Sequence, residues 1–312
     1  MDKLDLRLMS ELMRDSRIPV TRLAKKLGVS REVANYRLNK LRKGKVVLDF
    51  VTEIDLEKLG FIGAAIFIGV KAARQEEFRN FLDACPFVSW VAELSGEWGF
   101  GFSIYAKSNG ELDEKFQRIY ESFKDDIIDH RFTLHRRTTF FYEKYFGPMR
   151  VSAPRKTSVG KKTDGIDKLI LKELSRNSRL SSVELSKKLS LTPPAVIQRI
   201  RRLEVGGVIG KYSIFVDVSK LGLLQYSVFI VNKSVGVKER LAEYLASHPS
   251  VSYAAEYVGD PFVEFGVVVK DPYDLRRILQ EIEGAFPDNR VIEISLFQKE
   301  LVSVGPPACV FE

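Results

Sequence analysis

The chain opens with three short helical patterns. Leu4, Leu8 and Leu12 recur every fourth residue and predict an amphipathic first helix. Proline and glycine bracket a second short helix, and Ser30 is the predicted N-cap of a third. Three short helices with a tight turn before the last predict a helix-turn-helix, followed by a strand or small wing that reaches Asp55.

The apolar period then changes from helical to alternating. The predicted elements are a strand at 64–70, a helix at 75–84, strands at 88–94 and 100–105, a helix at 111–123 and a strand at 127–141. This β-α-β-β-α-β order is that of a ferredoxin-like sandwich, an antiparallel sheet with both helices on one face. The other face needs a partner, so we expect such domains to pair. Strand alternation makes Phe67, Trp90 and Phe102 candidates for one face or the other.

The whole pattern occurs twice. Residues 4–60 align with residues 166–222 at an offset of 162 without a gap, and a weaker match continues at an offset of 163. A repeat this long indicates two copies of a complete two-domain unit. The fold class is therefore α+β. The predicted order is winged helix-turn-helix at 1–60, ferredoxin-like domain at 61–146, basic linker at 147–165, winged helix-turn-helix at 166–222 and ferredoxin-like domain at 223–312.

Composition narrows the function classes. A net charge of +8 and a pI near 9.3 favour an anionic partner such as nucleic acid. Two cysteines do not make a disulfide framework, and no apolar run approaches a membrane span, so we expect a cytoplasmic protein without membrane contact. The three histidines do not cluster with cysteines, and no phosphate loop or nucleophile elbow is present. No metal, cofactor or catalytic residue is predicted.

The third helix of each helix-turn-helix carries the candidate chemistry, because this helix enters the DNA major groove. Arg31 suits guanine and Asn35 suits adenine, whereas in the second copy Gln198 suits adenine and Ile197 a thymine methyl. The full DNA-binding prediction is Ser30, Arg31, Asn35, Tyr36, Asn39, Lys40, Arg42, Lys43 and Lys45 in the first copy, with Thr192, Pro193, Ile197, Gln198, Arg201 and Arg202 in the second. The third helix of the second copy is less basic than the third helix of the first copy, so we expect it to contribute less to DNA affinity. Arg37 and Arg199 either pair with an acid inside the fold or touch DNA.

Family-like motifs occur at residues 166–171, 177–179, 191–204, 207–209, 216–222 and 249–251. Through them the chain resembles the Lrp/AsnC family of prokaryotic transcription regulators, over nearly its whole length and most strongly in the second winged helix. The resemblance implies a DNA-binding domain followed by a βαββαβ domain for oligomerisation and effector binding, with double-stranded DNA as partner. One departure is that family members usually carry one copy per chain.

A second departure concerns the effector. Many family members bind an amino acid at a Gly-x-x-Asp turn between the second and third sandwich strands. The corresponding turns here begin at Gly96 and Gly259, and Gly99 and Phe262 occupy the expected acid positions. Glu97 or Asp260 sits elsewhere in its turn. The candidate effector residues are therefore Gly96, Glu97, Gly259 and Asp260, with an apo regulator or a different small molecule as alternatives.

The sequence predicts a sequence-specific transcription regulator, not an enzyme, that reads two unlike half-sites. Its sandwich domains pair either within one chain, as a pseudo-dimer, or between chains, as a homodimer. One alternative is an architectural protein that coats DNA without site preference. Another is an enzyme resembling the fused siroheme decarboxylases, which would hold a tetrapyrrole with histidine and arginine.

Overall fold

The computed structural model describes residues 1–146, 163–232, 236–259, 261, 263–302 and 305–311. They form two compact units. The first comprises the described parts of Met1–Phe61, Ser152–Asp217 and Ser303–Glu312, and the second those of Ile62–Val151 and Val218–Val302. The α+β class and the internal duplication are confirmed. Most of the predicted basic linker, residues 147–162, lies outside the described residues.

The elements repeat with the sequence. The α-helices are α1 (Lys3–Arg14), α2 (Val20–Leu27), α3 (Arg31–Lys43), α4 (Gln75–Ala84), α5 (Asn109–Phe123), α6 (Gly165–Arg176), α7 (Ser182–Leu189), α8 (Pro193–Val205), α9 (Val237–Ser247) and α10 (Pro272–Ala285). The strands are β1 (Val47–Ile54), β2 (Ile62–Val70), β3 (Val88–Ser95), β4 (Phe100–Ala106), β5 (Ile127–Phe140), β6 (Ile209–Val216), β7 (Leu224–Asn232), β8 (Val251–Val258), β9 (Val263–Val269) and β10 (Asn289–Val302).

The first unit contains both helix-turn-helix motifs and the strands that follow them. β1 pairs antiparallel with β6, with Val47 opposite Val216 and Ile54 opposite Ile209. Val51, at the centre of this ribbon, faces Ser213, which is its own equivalent in the repeat. The predicted strands exist, but neither forms a local wing hairpin: each pairs with the other copy.

Side chains lock this ribbon onto the first helix of the opposite copy. Thr52 Oγ1 donates to the carbonyl of Leu174 at 2.7 Å, and Ser213 Oγ donates to the carbonyl of Met13 at 3.0 Å. Each bond is buried, where leaving a hydroxyl unpaired is costly. The two winged helices thus share one two-stranded ribbon, and each strand of it is hydrogen-bonded to the first helix of the other copy.

The second unit is a closed eight-stranded barrel with the order β10-β3-β4-β2-β5-β8-β9-β7. Each copy supplies a four-stranded ferredoxin-like sheet. The sheets join edge to edge through two antiparallel seams, β10 with β3 and β5 with β8. The expected pairing of the sandwich domains therefore occurs within one chain, and closure leaves neither sheet with a free edge.

Each sheet has helices on its outer face and meets the other sheet through its inner face. Phe67, Trp98, Phe229 and Tyr257 belong to the apolar cluster between the two sheets. Phe102, which the sequence assigned to either face, packs on the helix side against Phe78. The apolar surface that predicted a partner is thus covered by the other half of the chain.

An aromatic cluster at the end of β5 packs against the second copy. Phe141 is 3% exposed and joins the core between the second sheet and its helices. Phe140 stacks on Tyr142, and Tyr142 contacts Tyr145. These contacts support core packing rather than a stacking surface for bases. Within the described part of the chain, no helix is both long and apolar enough to cross a membrane.

Candidate nucleic-acid interface

The recognition helices α3 and α8 begin at side-chain caps. Ser30 Oγ accepts the amide of Val33 at 3.3 Å, and Thr192 Oγ1 accepts the amide of Ala195 at 3.4 Å. Pro193 and Pro194 fill the first turn of α8, where a missing amide proton costs nothing. Ser30 and Thr192 therefore act locally as caps, which leaves base contacts to the residues that follow.

One face of each recognition helix is buried and the other is open. The buried residues are Ala34, Leu38 and Leu41 in α3 and Val196, Ile200 and Leu203 in α8. Every residue of the DNA-binding prediction is exposed except Pro193, which is half-buried. Tyr36 is 68% exposed and Ile197 is 55% exposed, large values for apolar side chains on a folded domain. The structure thus brings the predicted base-reading residues together on one outward face of each helix.

Two arginines in the DNA-binding prediction have partners inside the fold. Arg202 forms an ion pair with Asp167, whose side chain is fully buried, and lies 3.8 Å from a carboxylate oxygen of Asp164. The Arg42 guanidinium lies 5.4 Å above the ring of Phe50. Contacts to phosphate would compete with these interactions, so the lysines of α3 are the better phosphate candidates.

Arg37 and Arg199 pair with acids, which decides between the two roles expected for them. Arg37 Nη1 lies 2.7 Å from Asp2 and 2.8 Å from Asp5, and Arg199 makes the equivalent pairs with Asp164 and Asp167. The hydrogen bond from Arg37 lowers the pKa of Asp2, and that from Arg199 lowers the pKa of Asp164. These acids also cap α1 and α6. Each arginine therefore fastens the recognition helix to the first helix of its own motif.

The two motifs meet along a seam that the sequence did not reveal. Ser16 Oγ and Ser178 Oγ are 2.6 Å apart and fully buried. Arg17 Nη1 donates to the Ser178 carbonyl at 2.8 Å, and Arg179 Nη2 donates to the Ile18 carbonyl at 3.4 Å. The serine and the arginine are identical in both copies yet lie on no apolar stripe, a signal that could have marked them as a contact between the repeats.

The seam continues into the shared ribbon. The Arg17 guanidinium lies 5.0 Å from the ring centre of Tyr212, and that of Arg179 lies 5.1 Å from the ring centre of Phe50. Phe50 and Tyr212 are themselves equivalent positions. Each motif thus presents an arginine to an aromatic ring of the other, an arrangement that stabilises a fixed relation between α3 and α8.

Two turns differ between the copies in an informative way. Lys45, after α3, has φ 52°, whereas its equivalent Gly207 has φ 68°. Ser190, after α7, has φ 55°, whereas its equivalent Gly28 has φ 71°. Left-handed backbone costs an ordinary residue about 1 kcal/mol relative to glycine. A lysine retained at such a position, beside a recognition helix, indicates a use for its charge.

Two of the candidate effector residues are glycines, and the backbone structure explains why glycine occurs at both positions. Gly96 has φ 145°, and a Cβ added there would lie 3.0 Å from the carbonyl oxygen of Ile294. Gly259 has φ 86°, and Glu97 is exposed. Asp260 lies outside the described residues. Backbone conformation and close approach therefore account for both glycines without a ligand, and the effector assignment stays a prediction.

The histidines occupy separate environments. His130 packs against Phe116 on the helix side of the first sheet, and His135 stacks with Tyr105 on the inner side, 6.2 Å between ring centres. The two histidines therefore lie on opposite faces of β5. Among the described residues, no cluster of histidine, cysteine, aspartate and glutamate has the geometry of a metal site.

Comparisons with known proteins follow the same division into copies. Residues 1–42 match the AsnC-type helix-turn-helix domain, and residues 163–209 match a winged helix-turn-helix DNA-binding domain. The transcriptional regulator LrpC of Bacillus subtilis is 37% identical over 98 residues, covering 31% of this chain and 68% of LrpC. The regulator FL11 of Pyrococcus horikoshii is 30% identical over 124 residues, covering 40% of this chain and 82% of FL11.

A solved structure resembles the chain over its full tandem length. The siroheme decarboxylase NirDL superposes with a TM-score of 0.64 over 99% of this chain and 96% of its own, at 17% sequence identity. At that identity the likeness establishes a shared fold alone. The duplicated arrangement of helix-turn-helix and ferredoxin-like domains is therefore not peculiar to this chain.

The paired winged helices, the exposed recognition faces and these relatives define a DNA-binding transcription regulator. The chain belongs to the Lrp/AsnC family, of which it is a tandem member with two copies of the two-domain unit.

Proposed function

We propose that this regulator binds an asymmetric DNA site through two unlike recognition helices held at a fixed separation. The supporting observation is the shared β1–β6 ribbon with the buried Ser16–Ser178 contact, which joins the two motifs in one unit. The separation of the half-sites is then a property of the folded unit. We expect a spacing near one helical turn, as in other paired helix-turn-helix proteins.

The unlike half-sites follow from the exposed residues of each helix. Arg31 and Asn35 of α3 are equivalent to Pro193 and Ile197 of α8. A guanidinium and an amide recognise guanine and adenine edges by paired hydrogen bonds, whereas proline and isoleucine offer only apolar contact, suited to a thymine methyl. The first half-site should therefore have the stronger base preference.

Phosphate contacts should also be unequal. Lys40, Lys43 and Lys45 are exposed in and after α3. Their equivalents are Arg202, Val205 and Gly207, of which only the arginine is charged, and it pairs with Asp167. Because each phosphate neutralised strengthens binding, the first motif should supply most of the affinity.

The proposal is tested by selecting DNA fragments with the full-length protein at physiological salt. The selection is repeated with the variants Asn35→Ala and Gln198→Ala. We expect one composite motif from the native protein, and loss of base preference in a different half of that motif for each variant. A palindromic motif, or no motif at all, would count against the proposal, the latter in favour of an architectural DNA-coating protein.

The enzyme alternative has a separate test. His130 and His135 both pack against aromatic neighbours, and His248 Nε2 lies 3.4 Å from Glu281. These contacts favour a structural use of all three rings. Titration with siroheme should therefore leave the Soret band of the free tetrapyrrole unchanged. A saturable shift, abolished by His135→Gln, would support the decarboxylase reading instead.

A further inference from the structure

Two positions that the repeat makes equivalent meet inside the barrel. Phe67 lies opposite Arg131 in the β2–β5 pair, and Phe229 lies opposite Glu293 in the β7–β10 pair, so Arg131 and Glu293 occupy equivalent positions in the two sheets. They form an ion pair, with the Glu293 side chain only 3% exposed. Phe67 and Phe229, 162 residues apart, meet edge to face with ring centres 4.8 Å apart. A residue that touches its own equivalent must lie on the axis relating the two copies. Both pairs therefore mark the pseudo-twofold axis of the barrel.

The aromatic pair and the ion pair would be affected differently in a barrel built from two copies of the same domain. In a barrel built from the first domains of two chains, Phe67 would again meet a phenylalanine, which any twofold axis accepts. Arg131 would meet a second Arg131, and in the complementary barrel Glu293 would meet a second Glu293. Buried like charges without partners are strongly unfavourable. The charged pair therefore distinguishes the two modes of assembly, and the aromatic pair does not.

The surroundings of the ion pair come from both halves. Trp98 Nε1 donates to Glu293 Oε2 at 2.7 Å, and Ser295 Oγ donates to Glu293 Oε1 at 2.8 Å. The Arg131 guanidinium lies 5.2 Å from the ring centre of Trp98 and 5.5 Å from that of Phe229. Arg131 and Trp98 belong to the first domain, and the other three residues to the second. Separating the halves would disrupt the whole cluster.

A second buried acid increases the penalty for like pairing. Glu264, 2% exposed, accepts the Tyr253 hydroxyl at 2.6 Å. Burial, and to a smaller extent the charge of Glu293, raises the pKa of Glu264. A barrel of two second domains would thus hold two copies of each of these glutamates without Arg131.

Ion pairs at the seams lack this discrimination. Arg136 and Arg137 both bind Glu256 across the β5–β8 seam, with Arg136 Nη1 at 2.5 Å. The equivalent of Glu256 in the first copy is Glu93, another acid. A barrel of two first domains would therefore still offer these arginines a carboxylate. The choice between barrels of like halves and barrels of unlike halves therefore depends on the residues at the pseudo-twofold axis.

We propose that the Arg131–Glu293 pair is the specificity-determining contact that makes each ferredoxin-like domain select the unlike half as its partner. The partner that the inner sheet face fits is thus the complementary half of this chain, and like-with-like barrels between two copies are excluded. This goes beyond the DNA-binding proposal and does not depend on it.

Two full-length variants, each carrying a different affinity tag, test the proposal. Arg131→Glu has an acid at both axis positions, and Glu293→Arg has an arginine at both. Within either chain the axis is repulsive, but a barrel joining the first domain of one chain to the second domain of the other restores an opposite pair. Co-expressed, the two variants should co-purify through both tags, at least tenfold above a doubly tagged wild-type pair and a doubly tagged Arg131→Glu pair.

Recovery of the complementary pair at the level of both controls would overturn the proposal. A second variant covers the case in which the single variants do not fold. The charge swap Arg131→Glu with Glu293→Arg in one chain should regain soluble yield and a denaturation midpoint above that of either single variant, without exchange between tags. Recovery should be partial, because Trp98 and Ser295 donate to the carboxylate at position 293. A swap no more stable than either single variant would mean that the two charges do not recognise each other.

Discussion

Ser16 and Ser178 share one hydrogen bond, Oγ to Oγ at 2.6 Å, although 162 residues separate them. That separation is the repeat offset, so each serine touches its own counterpart. Both are fully buried. The contact therefore lies on the axis relating the two winged helices. It joins the two motifs within one compact unit.

Removing one of these hydroxyls should cost about as much unfolding free energy as removing both. Ser16→Ala or Ser178→Ala leaves the other hydroxyl buried without this partner, and each single variant should lose about 1 to 2 kcal/mol of unfolding free energy. The double variant should be nearly as stable as either single one. Urea unfolding of the four proteins in a double-mutant cycle measures the coupling. Additive losses would show that the serines do not interact in solution.

Replacing Lys45, whose backbone is left-handed, should change stability and DNA affinity in opposite directions. Lys45→Gly relieves backbone strain at φ 52° and should raise the unfolding free energy by about 1 kcal/mol. It also removes a cation beside α3, so DNA affinity should fall and the dependence of binding on salt should become shallower by about one phosphate contact.

The matched control is Ser190→Gly, which makes the same change at φ 55° after α7. It should stabilise the protein by a similar amount and leave DNA affinity unchanged. If both variants weaken binding equally, backbone rigidity and not the lysine charge would be responsible.

Two basic residues of α3 should separate cleanly by role. Lys40 is exposed, whereas Arg37 pairs with Asp2 and the buried Asp5. Lys40→Ala should weaken DNA binding at all sequences, reduce the salt slope by about one and leave stability unchanged. Arg37→Ala should destabilise the protein by about 1 to 3 kcal/mol because Asp5 loses its partner.

Binding isotherms at several salt concentrations and thermal unfolding together measure both effects. Lys124→Ala, just after α5 in the first ferredoxin-like domain, is the control for loss of one positive charge outside the helix-turn-helix motifs. An equal salt slope for Lys124→Ala and Lys40→Ala would mean that net charge alone governs binding.

His135 should make the barrel sensitive to mild acid. Burial lowers its pKa from an ordinary value of 6.5 to about 4. Between these values the unfolded chain binds a proton that the folded chain does not, so stability falls as the pH drops from about 6.5 towards 4. The loss attributable to His135 should reach roughly 2 to 3 kcal/mol.

The measurement compares the unfolding free energy of wild type and His135→Gln from pH 7 to pH 4. The difference between them should shrink or reverse with acid, because glutamine does not titrate in this range. Parallel profiles for wild type and His135→Gln would rule out His135 as the acid-sensitive group.

Local features of the fold were predictable because short-range rules determine them. Ser181 and Glu184 form a capping box, which a serine followed three residues later by a glutamate favours, and Ser30 caps α3 as predicted. The β-α-β-β-α-β order followed from the change of apolar period. Each of these depends on neighbours within a few residues, where spacing along the chain determines contact.

The pairing between copies was not predictable from the same rules. The partner of β1 is β6, and the period of a strand does not say which other strand it joins. Arg131 and Glu293 have no local pattern that marks them as a pair. Their equivalence appears only in the strand registers, where Arg131 lies opposite Phe67 and Glu293 lies opposite Phe229. For the DNA interface, the exposed faces were predictable, but the internal partner of Arg202 was not, because Asp167 lies 35 residues away.

The contact of each repeat position with its own counterpart also determines how this protein can change. In a dimer of identical chains, one substitution on the axis appears on both sides at once, so the new residue must tolerate itself. In this chain Ser16 and Ser178, like Arg131 and Glu293, are separate codons. Either side can be altered while the other stays fixed, and a mismatch can be corrected in a second step. Fusion of the two copies therefore opens routes of divergence, in DNA preference as in packing, that a homodimer cannot follow.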